Sequence, residues 1–109
     1  MGSYPMSPEL IELAKAAAAL PGWEWRDGCY LPAKSPDEAP YPCLIRAGTG
    51  GVLLDLLGPG WHVDRSGEGI WSVYADEFAP MDARGLGATL GEACARAALA
   101  LGRWPGGAP

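Results

Sequence analysis

Histidine and phenylalanine each occur once in these 109 residues, and cysteine three times. A single imidazole cannot supply the paired histidines of most zinc sites, and Cys29, Cys43 and Cys94 lie too far apart for a CxxC clip. No metal is therefore expected. An odd number of cysteines at wide spacing is no disulfide framework either, so small buried thiols in a reducing compartment are expected. Positive charge is also scarce. Eight Lys and Arg stand against thirteen Asp and Glu, for a net charge of -5. Lys15, Arg26, Lys34, Arg46, Arg65, Arg84, Arg96 and Arg103 are scattered, with no two adjacent. Binding by phosphate neutralisation needs a basic face, so no nucleic-acid partner is expected. No apolar run approaches the ~18–20 residues of a membrane-spanning helix, so no membrane association is expected. The start of the chain has no charged stretch followed by an apolar core, so no secretory leader is expected. GxGxxG and GK[ST] motifs are missing, and no cofactor is expected.

Hydrophobic residues make up 49% and charged residues 19%, with 16 glycines and 11 prolines, which describes one ordered domain over 1–109. The stretch "SPELIELAKAAAALPG" reads as a helix. Ser7 suits the cap, Pro8 the first turn, Glu9 and Glu12 the positive end of the dipole. Leu10, Leu13, Ala14, Ala17 and Leu20 form its apolar stripe, and Pro21-Gly22 stop it. "WEWRDGCYL" reads as a hairpin turning at Asp27-Gly28, with Trp25 opposite Tyr30 and Trp23 on the same face. Residues 32–42, rich in proline, read as a surface loop.

Cys43 to Arg46 read as a short strand. Beyond it, periodicity leaves two options: a helix capped by Thr49 and running to Leu57, which is preferred, or a hairpin turn at "GTGG" followed by a strand "VLLDLL". "WHVD" and "IWSVYA" alternate as two strands around the loop "RSGEG". Residues 76–87 read as irregular because of Pro80, Gly85 and Gly87. Thr89 and Glu92 form a capping box for a final helix whose stripe is Leu90, Ala93, Cys94, Ala97, Ala98 and Leu101. Its small residues imply close packing on a sheet. Gly102 ends it. Residues 1–6 and 103–109 are expected to be flexible tails. The expected architecture is α+β, a small sandwich in which an antiparallel sheet of about four strands packs with the N- and C-terminal helices.

His62 and Asp64 share one face of a strand, a spacing that permits a base and its carboxylate. No nucleophile is tied to them by a motif, and their face is expected to be solvated, so no catalytic residue is assigned. The five tryptophans (Trp23, Trp25, Trp61, Trp71, Trp104) exceed what a core of this size needs. Tryptophan is enriched at interaction hot spots. Trp23, Trp25, Tyr30, Arg26, Trp61 and Trp71 are therefore the candidate binding residues. Trp23, Trp25, Arg26 and Arg46 could alternatively wall a pocket for a small molecule or nucleotide signal.

The order "LPGWEWRDGCYL", "GTGGVLLDLLGPGWHV", "GIWSVYA" and "GATLGEACARAALALG" resembles small phage and prophage proteins of the phage ABA sandwich kind, over residues 20–102. The chain departs from that pattern in a glycine-rich start to the middle helix and a longer loop at 76–87. The family has no established active-site residues to transfer. The resemblance implies a phage-type accessory protein in the bacterial cytoplasm and says little about its target. Together with the small size, acidic charge, surplus tryptophan and lack of a catalytic constellation, it leads to the expectation of a non-enzymatic protein that binds a host protein, for example as an inhibitor of a defence or transcription component.

Overall fold

The computed structural model describes residues 7–24, 30–31, 41–45, 47–75 and 84–106. The Asp27-Gly28 turn, Trp25, Arg26, Cys29 and Arg46 lie outside these residues.

Helix α1 spans Pro8–Ala18. It forms where the local signals place it. The Ser7 hydroxyl accepts a hydrogen bond from the Leu10 N–H at 3.2 Å, Pro8 fills the first turn, and Glu9 and Lys15 complement the two ends of the dipole. Ala14 and Ala17 are buried, and Leu10, Leu13 and Leu20 pack against the core beside them.

Two very short strands, β1 (Tyr30–Leu31) and β2 (Tyr41–Pro42), pair antiparallel. Tyr41 and Pro42 belong to the segment expected to be loop; of Cys43 to Arg46, expected as strand, the described residues Cys43 to Ile45 do not form one, and Cys43 and Leu44 are buried at a turn. A two-stranded ribbon has only edges, and an edge tolerates the missing N–H of Pro42.

Helix α2 spans Ala47–Leu57, which settles the choice in the middle of the chain. Leu53, Leu56 and Leu57 are buried at helical spacing. The helix starts at Ala47, ahead of the Gly50 start that a Thr49 cap would give, and Thr49 is instead a buried residue of the first turn.

Strands β3 (His62–Arg65), β4 (Trp71–Tyr74) and β5 (Gly85–Gly87) form a three-stranded antiparallel sheet in the order β3-β4-β5. His62 lies opposite Tyr74, Val63 opposite Val73, and Arg65 opposite Trp71. The intervening turn is held by Ser66, whose N–H donates to the Ile70 carbonyl and whose hydroxyl accepts from the Glu68 and Ile70 N–H groups. Among the described residues this sheet has three strands, against the expected four or so. β5 falls in the stretch expected to be irregular.

The reason is visible at its glycines. A Cβ on Gly85 would stand 1.9 Å from the Ala93 carbonyl oxygen, and one on Gly87 2.9 Å from the Ala93 nitrogen. These glycines break nothing; they let helix α3 (Leu90–Leu101) lie directly on the strand.

Helix α3 is the centre of the domain. One side covers β4 and β5, and the others meet α1 and α2. Thr89 caps it by accepting from the Glu92 N–H at 3.1 Å, and the same hydroxyl donates to the Leu44 carbonyl at 2.6 Å. Gly91, Ala93, Cys94, Ala95, Ala97 and Ala98 are all buried. Burial therefore extends beyond a single stripe, and Leu101, assigned to that stripe, is 46% exposed. The other correction concerns α1, whose main contacts are with α3 and β2 rather than with the sheet. The domain is a small α+β unit in which α3 is the middle layer.

Trp104 lies in a segment expected to be a flexible tail, yet it is 1% exposed. Its indole Nε1–H donates to the Ala17 carbonyl, and its backbone N–H to that of Pro21, both at 2.8 Å. Two residues on, the Gly106 N–H donates to the Leu56 carbonyl at 2.7 Å. This segment joins the end of α1 to the end of α2.

Candidate binding face

The tryptophans divide by their surroundings. Trp23 packs against Trp104, ring centroids 5.5 Å apart and tilted by 58°, so it belongs to the seam below α1. Trp23 is half-buried and packs against the core there, as Trp61 and Trp71 do elsewhere. Tyr30 contributes its backbone to β1, paired with Pro42. Trp25, Arg26 and Arg46 lie outside the described residues.

Trp61 and Trp71 remain together. Pairing at Val63–Val73 and Arg65–Trp71 puts Trp61, Val63, Arg65, Trp71 and Val73 on one face of the β3–β4 hairpin. That is the face α3 covers, and the helix packs mainly on β4 and β5. Val73 is accordingly buried, whereas Trp61, Val63 and Trp71 are half-buried at the margin of the core. The Arg65 guanidinium carbon sits 5.5 Å from the Trp71 ring centre, within cation–π range. Trp104 is the buried indole, while Trp61 and Trp71 keep part of their surface in water.

Beside Trp61 lies an open groove of about 550 Å³. Its walls come from three separate stretches: Gly51, Leu54 and Asp55 of α2, Pro59 to Trp61 before β3, and Gly106. A shallower hollow of about 510 Å³ lies between Ile70, Arg84, Leu86 and the first turns of α3. There Glu92 accepts from the Ala88 N–H and from both Nε and an Nη of Arg96, which occupies the helix start with a side chain of its own.

His62 and Asp64 point away from α3 and are exposed, as expected. Their partner, however, is Tyr74. The imidazole stacks on the Tyr74 ring with centroids 5.3 Å apart, the phenol donates a hydrogen bond to the Asp64 carboxylate, and the Arg84 guanidinium covers the ring at 4.3 Å. Among the described residues Asp64 engages Tyr74 and not His62, so the base–carboxylate pair allowed by the spacing is not formed. Tyr74 and Arg84 were missed from sequence. Tyr74 follows from the hairpin register, but Arg84 reaches the group only because β5 exists.

Cys43 and Cys94 are buried free thiols. Burial pushes the Cys94 thiol up to about 12. Its Sγ lies 3.9 Å from the Gly50 carbonyl oxygen. Among the described residues no group of three or more His, Cys, Asp and Glu could hold a metal ion, and no helix is long and apolar enough to cross a membrane.

The fold and this face define a small α+β domain with a half-open aromatic margin. No protein-family model, curated protein or solved structure compared with the chain matches it.

Proposed function

We propose that the protein is a non-enzymatic accessory protein of the phage or prophage type, working in the bacterial cytoplasm by binding a host protein. A defence or transcription component is the expected class of target. The observation that carries this is the division of the tryptophans. The core closes around Trp104, while Trp61 and Trp71 share one face of a hairpin and stay partly in water. Rigid indoles at a half-open margin are the side chains on which binding energy concentrates. The acidic charge balance favours a basic partner surface, and the resemblance to small phage proteins supports the accessory role.

The experiment is capture of the host partner by wild type, Trp61→Ala and Trp71→Ala, each measured beside its thermal melt. A hot-spot indole loses at least about 2 kcal/mol of binding, roughly thirtyfold, with a small change in melting. If capture falls only in variants that also melt early, both indoles are structural and the binding face is elsewhere. A melting shift with a panel of nucleotides would instead favour a small-molecule ligand.

A further inference from the structure

We infer that the outer edge of β3 pairs antiparallel with the same edge of a second copy of the chain, centred on Val63. This goes beyond the host-protein reading and does not depend on it.

Among the described residues the sheet ends at β3 on one side and at β5 on the other. An open strand edge is a template for further pairing unless it is short, interrupted or charged. β5 is both short and interrupted, with glycine at two of its three positions. β3 runs His62, Val63, Asp64, Arg65 in unbroken register with β4, with no proline, glycine or lysine. Which of its main-chain groups face outward follows from the turn. The Ser66 N–H donates to the Ile70 carbonyl, one pair beyond Arg65–Trp71, so alternation directs the groups of Asp64 and His62 to β4. The N–H and C=O groups of Val63 and Arg65 therefore point away from the sheet.

Charge then selects the register. A two-fold axis through Val63, normal to the sheet, makes Val63 and its copy a hydrogen-bonded pair. His62 falls opposite Asp64 of the second copy, and Asp64 opposite its His62, both in the closer, non-hydrogen-bonded kind of pair. Moving the axis by one residue sets Asp64 against Asp64 or His62 against His62, and like charges directly opposite are destabilising. Only the Val63 register brings an imidazole N–H to each carboxylate. Both side chains are exposed and already held on that face, His62 stacked on the Tyr74 ring and Asp64 accepting from the Tyr74 hydroxyl. Neither contact has to break, since a carboxylate has two oxygens to accept with. The edge thus disfavours shifted strands and admits its own copy. On the α3 face the half-buried Val63 meets its counterpart, and the two three-stranded sheets become one.

The test uses the full chain in sedimentation equilibrium. So short an edge buries little area, and the dimer should be weak, with a Kd of about 10 µM to 1 mM. Amide exchange at Val63 and Arg65 should slow as concentration rises through that range. His62→Asp places two carboxylates at each cross pair and should weaken the dimer about tenfold. Asp64→His places two imidazoles there and should weaken it about threefold. An equimolar mixture of these two variants restores one imidazole and one carboxylate at every cross pair. It should therefore dimerise more tightly than either variant alone, with the heterodimer the dominant dimer in native mass spectrometry. A chain that stays monomeric at about 1 mM would overturn the inference. So would exchange at Val63 and Arg65 that ignores concentration, a dimer indifferent to both variants, or a mixture no more dimeric than its better component.

Discussion

Gly85 and Gly51 both sit inside regular elements and stand for opposite situations. At the β5–α3 contact a methyl group would land 1.9 Å from a backbone oxygen, so glycine is there because the backbones touch. On α2 a methyl group would meet nothing within 4 Å, so glycine is there although nothing touches it. The first side of the molecule is closed: Gly85, Gly87 and Gly91 seat α3 against β5 and the Leu44 turn, and Trp104 seals the seam beneath α1. The second side, along Trp61 and the end of α2, is open. The same residue type thus marks a place where two backbones touch and a place where the surface is open. Only the surroundings tell the two apart.

The contrast can be broken most forcefully at Trp104. Trp104→Ala removes a fully buried indole and leaves the Ala17 carbonyl without its donor, and stability should fall by about 3–5 kcal/mol in chemical denaturation. A loss below about 1 kcal/mol would mean that the closed side does not depend on this residue. Next is Gly85→Ala, which forces β5 and α3 apart and should cost about 3 kcal/mol. The same unfolding curves measure it, and a neutral result would show that the contact is looser than its geometry.

Cys94 probes the closed side by pH. With its thiol raised from 9.0 to about 12, the unfolded state loses the proton first. Its stabilising contribution is therefore complete below pH 9 and declines as pH rises toward 12. The stability of wild type relative to Cys94→Ala should fall over that interval, and alkylation of Cys94 at pH 8 should need global opening. Rapid labelling of the native protein would contradict its burial.

The smallest effect has the opposite sign. Gly51→Ala should raise stability by about 0.5–1 kcal/mol, visible as a higher midpoint, because it adds helix propensity at a site with room. If it destabilises, Gly51 is not the open position described.

What was legible in the sequence was local. Ser7-Pro8 and Thr89…Glu92 announced two helix starts through hydrogen bonds made within one turn. The alternation around Trp61 and Trp71 set the faces of the β3–β4 hairpin. The run "VLLDLL" fitted helix and strand alike, and tertiary burial of Leu53, Leu56 and Leu57 decided it. Gly85 and Gly87 read as breakers because the cause of their presence, the backbone of α3, is not next to them in sequence. Trp104 read as tail because Gly102 and Pro105 punctuate it, whereas its partners Ala17, Pro21 and Trp23 lie at and just beyond the end of α1. The groove was illegible for the same reason. Gly51, Trp61 and Gly106 converge only once α2, β3 and the Trp104 segment are packed.

The docking of Trp104 also has a consequence in time. Its bond to Ala17 spans 87 positions of chain, so a large loop must close before it can form. The helices and the β3–β4 hairpin are built from near neighbours and can assemble early, while contacts of this span come late. The seam between α1 and α2 therefore stays unsealed through most of folding. Weakening Trp104 should speed unfolding far more than it slows folding, the signature of an interaction absent from the transition state. The residue then acts as a latch: it sets how long the native state lasts rather than how quickly it is reached.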